Sequence, residues 1–415
     1  MRMSWTRGWP AAAVVAAALV LSLGTATAAD DDTVTVALST TLSGAIGPLG
    51  QANKNGIELA IEKINAAGGV LGKQIKLLVA EDQAKPPVAA TNTRNFILTN
   101  KARAIFGSTS SAVSAAMGGV AAQYRVPIFY STSNDIDLTG RSFSKYAFEL
   151  VPTSYMEPHA VAVYIANRAK AEGWKTFYTI SPDYSFGRTT VKEFLAGMGQ
   201  AGVEVELVGQ QWPALGASDF GQYVSAIVAK KPDFVFVVQY SGDLVTLTKQ
   251  AANAGMFKNS SVYAGYWLDA LEALGADAPA GVISSDRAQP FYATDSDAMK
   301  EFAQRYHEKY QSWPASWAIM GYSAVETWVQ GVEKAGTFDA DAVAAALEGI
   351  TIDSALRGSF TIRACDHVAE VPEYMGILSD NVHPEYGIRT LTDIEEIPAG
   401  KIMMSCDAKM ALRAR

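Results

Sequence analysis

A few short stretches carry side chains that could do chemistry. Ser108-Thr109-Ser110-Ser111 gathers four hydroxyls just before a helix is due to begin. Hydroxyls beside the free amides of a helix N-terminus make a receptor for a carboxylate. An ordinary serine cap has the same spacing, so these residues alone leave the two readings even. Ser131 to Asp135 is a second polar loop, and if its strand neighbours the first, the two loops form one small polar pocket. Gly44, Gly47 and Gly50 lie between a strand and a helix, where a phosphate cradle would sit. Their spacing is G-x-x-G-x-x-G, and Pro48 removes a backbone donor, so they read instead as a flexible turn at the carboxyl end of a strand. That is where open α/β sheets bind ligands of any kind. The four His, at 159, 307, 367 and 383, share no metal-ligand spacing, and no G-x-S-x-G, H-E-x-x-H or C-x-x-C occurs.

The elements that must position these loops alternate. Val34 to Leu38 is a continuous apolar run, as in a parallel strand covered on both faces. A polar loop from Ser39 to Gln51 follows, then Ile57, Ala60, Ile61 and Ile64 at helical spacing, stopped by Gly68-Gly69. Strands are expected at Ile75 to Ala80, Ala104 to Phe106 and Pro127 to Tyr130, with helices from Pro86 to Leu98 and Val113 to Gln123. After a break near Pro152 the alternation restarts. Helices at Pro158 to Glu172, Thr189 to Ala201, Phe220 to Ala229 and Leu244 to Ala254 are interleaved with strands at Thr176 to Ile180, Val203 to Val208 and Phe234 to Val238. Beyond Ser284 the pattern is helical and aromatic, from Ser296 to Tyr310 and from Ala315 to Ala335. Two sets of βα units predict two doubly wound, Rossmann-like α/β lobes. The chain is expected to return to the first lobe and to recross near Gly358, giving lobes of 29–152 with 286–358 and of 153–285 with 359–415.

Composition narrows the class of protein. The 415 residues are 49% hydrophobic and 18% charged, enough apolar surface for two cores and no basis for disorder. A net charge of −8 with no Lys/Arg cluster argues against a nucleic-acid partner. Residues 1–28 read as a secretory signal peptide, with Arg2 and Arg7 before an apolar run from Ala11 to Leu23 and an Ala26-Thr27-Ala28 cleavage site ahead of Ala29. The alternative, a membrane anchor, needs a longer run. Export to an oxidising compartment would allow Cys365 and Cys406 to pair; the bland alternative is two buried thiols.

The sequence also resembles a known family, the extracytoplasmic solute-binding proteins of ABC transporters in the Leu/Ile/Val-binding group. The resemblance is carried by Leu42-Ser43-Gly44, by the run from Gly56 to Gly72 (GIELAIEKINAAGGVLG), and by Asp82, Val126-Pro127, Leu138-Thr139, Asp183-Tyr184-Ser185-Phe186-Gly187 and Lys231-Pro232-Asp233. It implies a type I periplasmic binding fold, two lobes joined by a three-segment hinge that closes on one small solute. It further implies a permease in the inner membrane as partner, a monomeric state, and neither cofactor nor metal. By the same resemblance Ser111 would hold the ligand carboxylate, Thr132, Ser133 and Asn134 would grip the ligand from the second loop, and Phe186 and Tyr240 would come from the second lobe.

Three positions depart from the family pattern. Leu49 stands where an aromatic residue is common, Asn134 where the loop carries threonine, and Trp267 where amino-acid binders place an acid for the ligand ammonium. A buried ammonium without a carboxylate is costly, so unless Asp243 or Asp269 supplies one, the ligand expected is a small or aromatic carboxylate lacking the amino group. Trp267 stacking on the ligand and Trp267 packing between the lobes are equally compatible with the sequence. Two other classes remain at this level: a sensory receptor of the same fold feeding a signalling partner, and a secreted hydrolase with a site assembled from distant residues.

Overall fold

The computed structural model describes residues 1–4 and 32–414, so the expected leader cleavage before Ala29 lies outside the described residues. Among the described residues no helix is long and apolar enough to cross a membrane.

The first sheet comprises β1 (Thr33–Thr40), β2 (Gln74–Glu81), β3 (Ile105–Phe106), β4 (Ile128–Tyr130) and β5 (Ala147–Glu149). They run all parallel in the order β2-β1-β3-β4-β5. The order reverses between β1 and β3, so the loops after these strands diverge and leave a crevice at their carboxyl ends. The second sheet is built from β6 (Thr176–Ile180), β7 (Glu206–Gln211), β8 (Phe234–Val237), β9 (Ser261–Ala264) and β10 (Ile283–Asp286). A two-stranded hairpin, β11 (Thr351–Ser354) with β12 (Gly358–Thr361), precedes two long strands, β13 (Glu373–Val382) and β14 (Arg389–Ile397). These join the second sheet antiparallel, beside β10, in the order β14-β13-β10-β9-β8-β6-β7.

Central strands buried on both faces must be apolar throughout, and Val36 to Leu38 and Phe234 to Val237 meet that requirement with almost no exposure. The observed helices begin earlier than periodicity predicts: Gly47–Ala66, Ser111–Tyr124 and Ser185–Gln200, against expected starts after Gln51, at Val113 and at Thr189. The reason is that these first turns are short and rich in glycine, proline and serine, and so give no apolar period. Two of the three loop glycines therefore lie inside a helix rather than in a turn. Gly50 is needed because a Cβ there would fall 1.9 Å from the Thr41 carbonyl oxygen. The Gly47–Ala66 helix crosses the Ser316–Ala335 helix closely, since Gly56 and Gly321 let each backbone approach the other; a Cβ on Gly56 would lie 1.9 Å from the Ala318 oxygen. This crossing returns the chain to the first sheet after β10.

The return to the second sheet comes later than the sequence suggests. Gly358, with φ of +69°, serves the β11–β12 hairpin instead of a crossing. The chain still flanks β5 at Val368, where the Glu149 amide donates to the His367 carbonyl at 3.0 Å. Only then does it enter β13. The last helix, Cys406–Arg413, returns once more. Lys409 Nζ donates to the Ile136 carbonyl at 2.7 Å, Arg413 Nη2 to the Cys365 carbonyl at 2.6 Å, and Cys365 and Cys406 form a disulfide. Residues 359–369 and 406–413, expected with the second lobe, thus pack beside the first sheet.

Candidate ligand-binding cleft

The carboxyl ends of both sheets face one cavity of about 290 Å³. From the first lobe, Thr109, Ser110 and Ser111 reach it after β3, Thr132 and Asn134 after β4, and Ile46 and Leu49 after β1. From the second lobe come Tyr184 and Phe186 after β6, Tyr240 after β8, Trp267 after β9 and Arg287 after β10. Trp317, at the start of the Ser316–Ala335 helix, completes the wall.

The polar end is built on the Ser111–Tyr124 helix. Ser110 occupies its N-cap yet makes no side-chain capping bond, and helix geometry leaves the amides of Ser111, Ala112 and Val113 without intrahelical acceptors. The Ser111 hydroxyl accepts from the Asp135 amide at 3.3 Å and keeps its own proton to donate. Thr109 Oγ1 is buried and has no partner. This end therefore offers several donors converging on one place, with the positive end of a helix dipole behind them.

The opposite end is aromatic. Tyr184 and Tyr240 hydroxyls pair at 2.9 Å, Phe186 meets Tyr240 edge to face, and Trp267 meets Trp317 edge to face at 5.2 Å between ring centroids. Burial pushes both tyrosine hydroxyls upward in pKa, so they stay protonated hydrogen-bonding groups.

One charge lines the cavity. Arg287 is 3% exposed, its guanidinium lying 5.1 Å from the Trp267 ring and 4.9 Å from the Trp317 ring. Nη2 donates to Glu157 at 2.8 Å and Nη1 to the Thr132 carbonyl at 3.1 Å, while Nε is unpartnered. Asn134 Nδ2 donates to the same Glu157 oxygen at 2.9 Å. Glu373, fully buried nearby, is pushed well above the usual carboxyl range by burial and then by Glu157, which favours its protonated form beside the pair.

Of the eight residues singled out by the sequence, Leu49, Ser111, Thr132, Asn134, Phe186, Tyr240 and Trp267 line the cavity. Ser133 does not: it turns away from the cleft and donates to Ser114 Oγ at 2.7 Å, because its neighbours on the loop face the ligand space and successive side chains alternate. Neither acid suggested for an ammonium lines the cavity. Asp243 accepts from the Gly216 amide at 2.8 Å, and Asp269 faces a separate cavity of about 210 Å³ beyond Leu49 and Trp317. Sequence reasoning missed Arg287 and Trp317, which arrive from crossing segments without a motif. It passed over Tyr184 too, although that residue lies inside the Asp183 to Gly187 stretch. Among the described residues no group of three or more His, Cys, Asp and Glu is placed to hold a metal ion.

Two α/β lobes meeting over a cavity at the carboxyl ends of their strands define a solute-capturing protein of the type I periplasmic binding fold. The sequence model of the periplasmic binding protein family matches residues 33–380, and the chain belongs to that family. A curated relative, the Leu/Ile/Val-binding protein BraC3 of Rhizobium johnstonii, is 27% identical over 336 residues, covering 80% of this chain and 88% of the relative. A solute-binding protein of an ABC transporter from Rhodopseudomonas palustris BisB5, solved with 3,4-dihydroxybenzoic acid, superposes with a TM-score of 0.78 at 24% identity, covering 89% of this chain and 98% of that one. LivJ of Streptococcus pneumoniae, solved with isoleucine, gives 0.76 at 20% identity over 88% and 99% of the two chains.

Proposed function

We propose that the chain is the exported, periplasmic receptor of an ABC importer, closing on a small organic carboxylate with an aromatic or apolar body and delivering it to a membrane permease. The observation that carries the ligand class is the charge of the lining: one arginine and no carboxylate among the residues that face the cavity. An α-ammonium would enter without a counter-ion, whereas a carboxylate meets Ser110, Ser111 and the helix amides, and an aromatic body meets Trp267, Tyr240 and Phe186. The isoleucine and dihydroxybenzoate complexes of structural relatives agree on the fold and differ in ligand, so the choice rests on these side chains.

In this reading Ser111 anchors the carboxylate, Thr132 and Asn134 support the loop beside it, Leu49 closes the near side, and the second-lobe rings cover the remainder. The lobes hinge where the chain passes near Val151, near Arg287 and between Val371 and Glu373. Closure is held at the mouth by Ser241 Oγ, which donates to the Ala45 carbonyl at 2.8 Å. No covalent step is required. A thermal-shift screen with amino acids and aromatic acids side by side tests the reading, because a ligand bound by the native state raises the melting temperature. The aromatic acids should stabilise the protein, and stabilisation by amino acids alone would overturn the assignment.

A further inference from the structure

Behind the aromatic end of the cleft lies a second, much smaller cavity, about 20 Å³, room for a single oxygen-sized group. Phe186, Tyr240 and Trp267 line both spaces and so form the partition between them. The rings meet at an angle and not as a stack, with centroids 6.0 Å apart for Phe186 and Tyr240 and 6.3 Å apart for Tyr240 and Trp267, so the partition is made of ring edges. On the far side stand Gln239, Thr190 and Glu157. Gln239 is 1% exposed, and both its amide oxygen and its amide nitrogen lack a partner; the Thr190 hydroxyl, on a residue 5% exposed, lacks one too. Three orphaned polar atoms around one small space are unusual, since buried polar groups are almost always paired.

We propose that this space is a hydroxyl subsite. Resting on the carboxylate reading above, it narrows the ligand to an aromatic carboxylate carrying a ring hydroxyl remote from the carboxylate. A hydroxyl both donates and accepts, which matches an amide presenting one donor group and one acceptor. A second carboxylate would be opposed there by Glu157. A site that leaves polar groups unpaired discriminates strongly against a ligand lacking the hydroxyl.

The test is calorimetric titration of three hydroxyl and des-hydroxyl pairs: 4-hydroxybenzoate with benzoate, 4-hydroxyphenylacetate with phenylacetate, and tyrosine with phenylalanine. The proposal expects the hydroxylated member of at least one pair to bind about tenfold tighter or more. It also expects Gln239→Leu, and separately Thr190→Val should the first variant not fold, to abolish most of that preference. Equal affinities within every pair, or a preference untouched by both variants, would overturn it and leave the space to a trapped water. Tyrosine binding tighter than either hydroxylated des-amino acid would overturn the carboxylate reading while the hydroxyl subsite stood. Failure of all six to bind would overturn both.

Discussion

Arg287, which follows the last parallel strand of the second sheet, and Thr132, which follows β4 of the first, are joined directly, the guanidinium Nη1 donating to the Thr132 carbonyl at 3.1 Å. The same guanidinium pairs with Glu157 and lies beside two tryptophans, so one side chain ties the ligand loop after β4 to the second sheet's side of the cleft. A lysine keeps the charge but not the planar fork. Arg287→Lys should therefore weaken binding of benzoate roughly ten- to a hundredfold by calorimetry, the range expected when a charge-assisted bond is lost.

Ser111 and Ser133 make a matched pair of tests. Ser111 faces the cavity and Ser133 faces Ser114, although both are hydroxyls in the predicted ligand loops. Ser111→Ala removes a donor to a charged group, worth about 1.5 to 3 kcal/mol, or roughly ten- to a hundredfold in Kd. Ser133→Ala should change Kd by less than about twofold while costing a little stability. Reversed results in folded variants would mean that the loop is oriented differently around the ligand.

Glu373 gives the stability profile a definite sign. Burial, followed by the neighbouring Glu157, raises its pKa well above the ordinary 4.5, so the folded state holds a proton that the unfolded state releases. The stability it contributes is complete below pH 4.5 and is lost progressively as pH rises toward the folded value. Glu373→Gln keeps the neutral form at every pH. Melting curves from about pH 5 to pH 8 should show the variant gaining on the wild type as pH rises. A constant difference across that range would contradict the assignment.

The disulfide between Cys365 and Cys406 spans 41 residues and fixes the last helix beside the loop that follows Asn134. Closing a loop of that length is worth up to about 4 kcal/mol in the chain-entropy model. That loop has further ties of its own, from the Asp135 amide to Ser111 and from the Ile136 amide to Ser154. Reduction, or Cys406→Ser, should accordingly lower the melting temperature by several degrees and leave Kd within about twofold.

How much of this was legible in the sequence follows from the kind of signal each feature leaves. Strands buried on both faces, such as Val34 to Leu38, announce themselves as apolar runs, so the two α/β lobes could be read directly. Ser111, Thr132, Asn134 and Tyr240 follow strand ends, and the topology brings such ends together. Arg287 and Trp317 left no trace because their place depends on where the chain crosses between lobes, a tertiary event without local period. Ser133 was misplaced because a one-residue change of facing turns a side chain from the cleft into the core. The return of Lys409 to Ile136 was equally invisible, since a single amphipathic helix of eight residues does not say which lobe it covers.

The central claim is that the cleft selects a carboxylate without an α-ammonium, and one paired titration measures it most directly. Leucine, its des-amino analogue 4-methylpentanoate, and benzoate are titrated into the same ligand-free protein by calorimetry. The account predicts measurable binding of the des-amino acids, benzoate the tighter of the two because its ring can stack on Trp267, and leucine weaker than both by tenfold or more, as expected when about 1.4 kcal/mol or more is lost to an unpaired buried charge. Leucine binding tighter than both des-amino acids would contradict it and make Arg287, Trp267 and their neighbours parts of an amino-acid site.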